Sequence, residues 1–210
     1  MTRMARTERT QLCDLALQVG PDAPTLSGSW TVRDLVAHLL VREGNPAALG
    51  IALPVLARVT DQAMARTARR DFAANVERLR HGPPVYSPLA VPKLDTVFNT
   101  LEMFVHHEDV RRARDGWEPR ELTRRDEALL WQQVGMAGRG LVRDAPVGVV
   151  IERSDKDARR VLKPGEPTVV VRGLPSEVTL FVYGRKPQAR VELSGPPEAV
   201  AALTGSDLGF

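Results

Sequence analysis

A column of polar side chains runs through the apolar helical pattern of residues 94–113, LDTVFNTLEMFVHHEDVRRA. Its members recur at three- and four-residue steps and so share one side of a helix: Asp95, Asn99, Glu102, His106 and Asp109. Glu102 and His106 are four residues apart, which puts their Cβ atoms about 6 Å from each other. A carboxylate oxygen and an imidazole nitrogen can then converge on one divalent ion. The spacing predicts half of a metal site.

The same column has a second interpretation, because polar residues along a helix commonly form a solvated face. A third ligand from elsewhere in the chain would favour the metal site. His107 lies about 100° further round the helix than His106, so we expect it to pack or to donate a hydrogen bond near the site. Asn99 and Asp109 are one turn from the ligand positions, and we expect them to orient the ligands.

His38 lies in a second helical pattern, WTVRDLVAHLLVREG, at the edge of its apolar arc. Thr31 and Asp34 have the spacing of a capping box, which predicts the start of this helix. An edge position suits a side chain that faces a cleft between helices. A single histidine there is also compatible with a structural or solvated residue.

Composition limits the classes of function. The chain has 210 residues, a formal net charge of +3 and a pI of about 9.4. Arginine alternates with acidic residues in segments such as DVRRARDGWEPRELTRRDEA, a pattern typical of solvated helix faces. No basic arm with interleaved aromatic residues occurs, so we expect no nucleic-acid partner.

Cys13 is the one cysteine, which excludes an intramolecular disulfide and a cysteine-based zinc cluster within one chain. We expect it to be a small buried hydrophobic residue. The N-terminal residues lack the apolar region of a signal peptide, and no apolar run approaches the length of a membrane span. These features predict a cytoplasmic protein that does not enter a membrane.

The hydrophobic pattern divides the chain near residue 146. Four main amphipathic helices are predicted before this point, the first of them ending at Gly20 and the last covering residues 124–143. Short β-branched runs separated by turn residues follow it, with helical candidates at SEVTLFVYG and PPEAVAALTG. We therefore predict a helical domain at 1–145 and a small α+β domain at 146–210.

Three motifs carry a resemblance to a known family: WTVRDLVAH ending at His38, EMFVH ending at His106, and Tyr183-Gly184-Arg185. They resemble the DinB/YfiT-like superfamily and, within it, the mycothiol-dependent maleylpyruvate isomerase type. The resemblance spans nearly the whole chain and extends to an actinobacterial subgroup. It implies a DinB-like four-helix metal-binding bundle followed by a C-terminal α+β domain.

The resemblance also supplies the third ligand, because the family's zinc is held by one early histidine plus a later glutamate and histidine. Here these would be His38, Glu102 and His106, with zinc or another divalent ion such as nickel. Two histidines and one carboxylate leave coordination positions open for water or a thiolate, as a catalytic site requires. The implied cofactor besides the metal is the thiol mycothiol.

We therefore expect a divalent-metal enzyme, a transferase or isomerase, that activates a low-molecular-weight thiol or a water for attack on a small electrophile. Its partners would be the small-molecule substrate and the thiol, and the chain would be a monomer or homodimer. The sequence leaves open an alternative, a non-catalytic metal-dependent binding or sensing module. Arg185 follows an apolar segment, TLFVYG, and its guanidinium could bind an anion bidentately near the metal, although a surface ion pair is also compatible with its position.

Overall fold

A computed structural model describes residues 3–44, 57–83 and 92–209, with the side chains of 92–98, including Asp95, outside the description. Within these ranges there are eight α-helices, a short 3-10 helix and four strands. In chain order they are α1 (Arg3–Val19), α2 (Val32–Gly44), α3 (Ala57–Ala68), α4 (Phe72–His81), α5 (Pro92–Arg111), α6 (Arg124–Leu141), β1 (Gly148–Arg153), β2 (Arg159–Lys163), β3 (Thr168–Gly173), α7 (Pro175–Val182), the 3-10 helix (Lys186–Gln188), β4 (Glu192–Ser194) and α8 (Pro197–Gly205). The alpha-plus-beta class is therefore confirmed.

The contacts divide the chain into two compact units, Met1–Glu118 and Pro119–Phe210. Helix α6 belongs to the second unit, where it packs against α7 and β2. The sequence pattern instead predicts α6 as the fourth helix of the first domain, because the β-branched runs begin only after it. The division at 145/146 and the four-helix bundle both stay predictions.

Local signals set the ends of the helices in the first unit. Gly20 has φ +86° and its N–H donates to the carbonyl of Ala16, so α1 ends there as predicted. At the start of α2, the N–H of Thr31 donates to Oδ2 of Asp34, 3.0 Å away. The N–H of Asp34 donates in return to Oγ1 of Thr31, which confirms the capping box.

An apolar core holds the first unit together. Helix α1 packs against α4 and α5, and α2 packs against α3 and α4. The buried side chains recur at helical spacing: Leu12, Cys13, Ala16, Val32, Leu35, Val36, Leu39, Val76, Leu79, Met103 and Val110. Beside this core, the buried Arg9 guanidinium binds both carboxylate oxygens of Glu43, at 2.5 and 2.7 Å, and donates to the carbonyl of Leu79. This contact links α1, α2 and α4.

The second unit contains a four-stranded sheet with the order β2-β1-β3-β4. Strands β1 and β3 are parallel, and the outer two pairs are antiparallel. Helix α6 approaches β2 closely because Gly138 has no side chain; a Cβ there would lie 2.8 Å from Cδ1 of Leu162. The runs predicted as strands after residue 146, and both helical candidates, are confirmed.

Among the described residues, none of the helices combines the length and the apolar character that a membrane crossing needs.

Candidate metal centre

Three side chains from two helices meet in the first unit. His38 lies on α2, Glu102 and His106 lie on α5, and one donor atom from each is within 4.8 Å of the other two. Nε2 of His106 is 3.4 Å from Oε2 of Glu102. The rings of His38 and His106 have centroids 5.4 Å apart. His38 is therefore close to the pair on α5, as a shared ligand set requires.

The donor set can be compared with the geometry that zinc prefers. Four-coordinate zinc holds nitrogen and oxygen donors at about 2.0–2.2 Å, so that neighbouring donors lie about 3.4 Å apart. His106 and Glu102 already have this separation. A donor nitrogen of His38 lies within 4.8 Å of a donor atom of each of these two residues. Two imidazoles and a carboxylate thus fit a divalent ion in both chemistry and spacing.

Asp109 holds the ring of His106. Its Oδ2 is 2.9 Å from Nδ1 of His106 and also accepts a hydrogen bond of 2.8 Å from the hydroxyl of Ser27. An ionised carboxylate only accepts, so Nδ1 carries a proton, and Nε2 is the ring nitrogen that faces Glu102. Burial opposes protonation of the ring, but the hydrogen bonds with Asp109 and Glu102 outweigh it and raise the pKa of His106.

Arg42 lies one turn after His38 and contacts Glu102. Its Nε is 3.5 Å from Oε2 of Glu102, and its Nη1 donates to Oδ1 of Asn99 at 2.5 Å. Burial raises the pKa of Glu102, but the charge of Arg42 and the contact with His106 dominate and lower it to about 2. Glu102 is therefore ionised at neutral pH. Asn99, expected to orient a ligand, makes this contact with Arg42.

His107 points to a different helix from its neighbour. Its Nδ1 is 2.8 Å from Oε2 of Glu8 on α1, and both side chains are buried. This direction agrees with the offset of about 100° between consecutive helical residues. The contact joins α1 to α5 and involves a carboxylate outside the ligand set.

Three residues of this region were not predicted from the sequence: Ser27, Trp30 and Arg42. The ring of Trp30 lies 4.9 Å from that of His38, centroid to centroid. Ser27 and Trp30 are in the loop before α2, where no periodicity indicates which side chains face the site. Arg42 had a usable signal, because it follows His38 at the same four-residue spacing that linked Glu102 to His106.

Arg185 lies in the second unit, after α7. Gly184 has φ +83°, and the Arg185 guanidinium donates through Nη1 to the carbonyl of Tyr183 at 2.6 Å. The preceding segment is buried, as expected: Leu180, Phe181, Val182 and Tyr183. The anion-binding role of Arg185 stays a prediction.

Two solved structures resemble most of the chain. The crystal structure of the mycothiol-dependent maleylpyruvate isomerase aligns with a TM-score of 0.62 and 15% sequence identity, covering 91% of this chain and 90% of that one. A histidine-to-alanine mutant of that isomerase aligns with a TM-score of 0.61 and 14% identity over the same shares. No protein-family model matches the chain, and neither does the sequence of any curated protein. The chain therefore has a fold of the maleylpyruvate isomerase type.

Proposed function

We propose that this protein is a divalent-metal enzyme that uses a low-molecular-weight thiol to isomerise or modify a small electrophile. His38, Glu102 and His106 would be the metal ligands, zinc the expected ion and mycothiol the expected thiol. The observation that carries the proposal is the convergence of these three donors. The fold supports it, since the solved structures that it resembles are of a mycothiol-dependent isomerase.

The ligand set defines the chemistry. A divalent ion held by three protein ligands keeps positions open, and when bound it stabilises a thiolate or hydroxide at neutral pH. Glu102 supplies a carboxylate that is ionised at neutral pH, and the contact of Asp109 with Nδ1 leaves Nε2 of His106 as the nitrogen that would hold the ion. The ring of Trp30 lies beside the ring of His38.

The nucleophilic thiol would come from a cofactor. Cys13 is buried in the core of the first unit, and its thiol donates to the carbonyl of Val76. Burial raises the pKa of this thiol to about 12. This value is far above the pH of the cell, so the reactive thiolate does not form there. A separate thiol such as mycothiol supplies what this side chain cannot.

Three further features belong to the same proposal. Arg185 would bind an anionic group of the substrate or cofactor through its planar fork. The helices that carry the ligands would form the DinB-like bundle. The enzyme would act in the cytoplasm as a monomer or homodimer, without a nucleic-acid partner.

Turnover tests the proposal directly. Zinc-loaded protein is assayed with mycothiol and maleylpyruvate, then with a panel of other small electrophiles, and His106→Ala serves as the inactive variant. We expect product formation that requires both the ion and the thiol. Tight zinc binding with no turnover across the panel would instead assign the chain to the alternative class, a metal-dependent binding or sensing module.

A further inference from the structure

Arg42 places a positive charge beside a residue that we propose as a metal ligand. The guanidinium and the Glu102 carboxylate are both mostly buried, with 13% and 17% of their side chains exposed, and Nε and Oε2 are 3.5 Å apart. The hydrogen bond from Nη1 to Asn99 holds the guanidinium at this position. A divalent ion and Arg42 would therefore share one carboxylate.

This arrangement has an electrostatic consequence. An ion that binds Glu102 takes over the carboxylate that the guanidinium contacts, and it adds two positive charges next to Arg42. Water screens charges poorly where the side chains are mostly buried. The ion-loaded site then has an excess of positive charge on the side of Arg42, which an anion would neutralise.

We infer that Arg42 couples metal binding to anion binding at this site. Its charge weakens the binding of the ion alone and, once the ion is bound, strengthens the binding of a carboxylate ligand. The inference rests on the proposed function, because it takes Glu102 as a metal ligand. Arg42 is then a positioning and selectivity residue: its planar fork would donate bidentately to a carboxylate beside the open metal positions. Coupling between two binding equilibria is reciprocal, so the anion must also tighten metal binding.

Calorimetric titrations of the full chain test the two directions separately. Zinc is titrated first, without any carboxylate in the buffer, and succinate is then titrated into the zinc-loaded protein. Arg42→Gln should bind zinc at least about fivefold more tightly and succinate at least about fivefold more weakly than the wild type, the lower end of usual coupling factors. Arg42→Lys should keep zinc affinity near that of the wild type and lose part of the succinate affinity, because an ammonium lacks the fork.

Arg33→Gln is the matched control. Arg33 lies on the same helix, but its guanidinium contacts the Phe72 ring, the Ala68 carbonyl and Asp22. Both affinities should stay unchanged in this variant. A merely structural role for Arg42 would weaken zinc and succinate binding together, whereas the inference requires opposite changes.

The outcomes separate the inference from the proposed function. Wild-type protein that binds no zinc would overturn both. Wild-type protein that binds zinc, with an Arg42→Gln variant whose zinc affinity falls or whose succinate affinity is unchanged, would overturn the inference alone. If Arg42→Gln fails to fold, the succinate affinity of Arg42→Lys tests the inference. An affinity equal to that of the wild type would contradict a role for the guanidinium fork.

Discussion

Oδ2 of Asp109 lies 2.9 Å from Nδ1 of His106, and the same oxygen accepts the hydroxyl of Ser27. The main-chain carbonyl of Asp109 also accepts the N–H of Leu26 at 3.1 Å. Asp109 thus contacts both the histidine on α5 and the loop that leads into α2. Since α2 carries His38, this one residue orients a proposed ligand and links the two segments that supply the ligand set.

Replacing Asp109 should therefore weaken metal binding without removing a ligand. We expect Asp109→Ala to lower zinc affinity about 10- to 100-fold, the usual effect of losing a group that orients a ligating histidine. Zinc titration against a competing chelator measures the change. Asp144→Ala is the control, because Asp144 is exposed and contacts Arg143 at the surface. Equal zinc affinities in the two variants would contradict the orienting role.

Zinc should stabilise the folded chain, because an ion that binds only the native state shifts the unfolding equilibrium. At a free zinc concentration of 100 times the dissociation constant, the stabilisation is about 2.7 kcal/mol. The melting temperature of the wild type should rise accordingly, and His106→Ala should lose most of this shift. His81→Ala is the matched variant, since His81 is exposed at the end of α4. A full shift in His106→Ala would show that zinc binds at a site other than His106.

The parts of the site that the sequence predicts are those with short-range signals. Glu102 and His106 follow from a four-residue spacing, and the start of α2 follows from the Thr31–Asp34 capping box. The contacts of Arg42 with Asn99 and of Ser27 with Asp109 span 57 and 82 residues. No periodicity encodes such pairs, because they depend on how separate helices pack. His38 entered the ligand set through family resemblance for the same reason.

The packing partner of α6 is likewise not predictable from the sequence pattern. Its amphipathic pattern predicts a helix over residues 124–143, and the structure has one at Arg124–Leu141. The pattern reveals that one face is apolar but not which partner covers it. Gly138 admits Leu162 of β2, and Glu127 accepts two hydrogen bonds from Ser176 at the start of α7. These contacts place α6 with the sheet.

Removing one partner of the buried Arg9–Glu43 ion pair should strongly lower the free energy of unfolding. Their side chains are only 1% and 3% exposed, so Glu43→Ala leaves a guanidinium without its counter-charge in the core. We expect a loss of about 3–5 kcal/mol in the free energy of unfolding, measured by urea denaturation. The double variant Arg9→Met/Glu43→Leu should recover most of this loss, because it removes both charges. A double variant no more stable than Glu43→Ala would contradict this explanation.

Cys13 gives a prediction about reactivity. Burial raises the pKa of its thiol to about 12, and its side chain is fully buried beside the Val76 carbonyl. Because the thiolate is the reactive form, the native protein should not react with a disulfide reagent such as DTNB at pH 8. The same protein in denaturant should release one equivalent of chromophore. Rapid labelling of the native chain would mean that the thiol is accessible and ionisable.

The same pKa makes the stability contributed by Cys13 depend on pH. A group whose folded-state pKa is raised above its ordinary value of 9.0 stabilises the fold while protonated and loses that contribution as pH rises towards 12. The difference in unfolding free energy between the wild type and Cys13→Ala should therefore be constant below about pH 8 and fall above pH 9. The slope should approach about 1.4 kcal/mol per pH unit. Urea denaturation of both proteins at pH 7, 8, 9 and 10 measures it, and a difference that stays constant to pH 10 would show that the thiol ionises equally easily in the folded and unfolded chains.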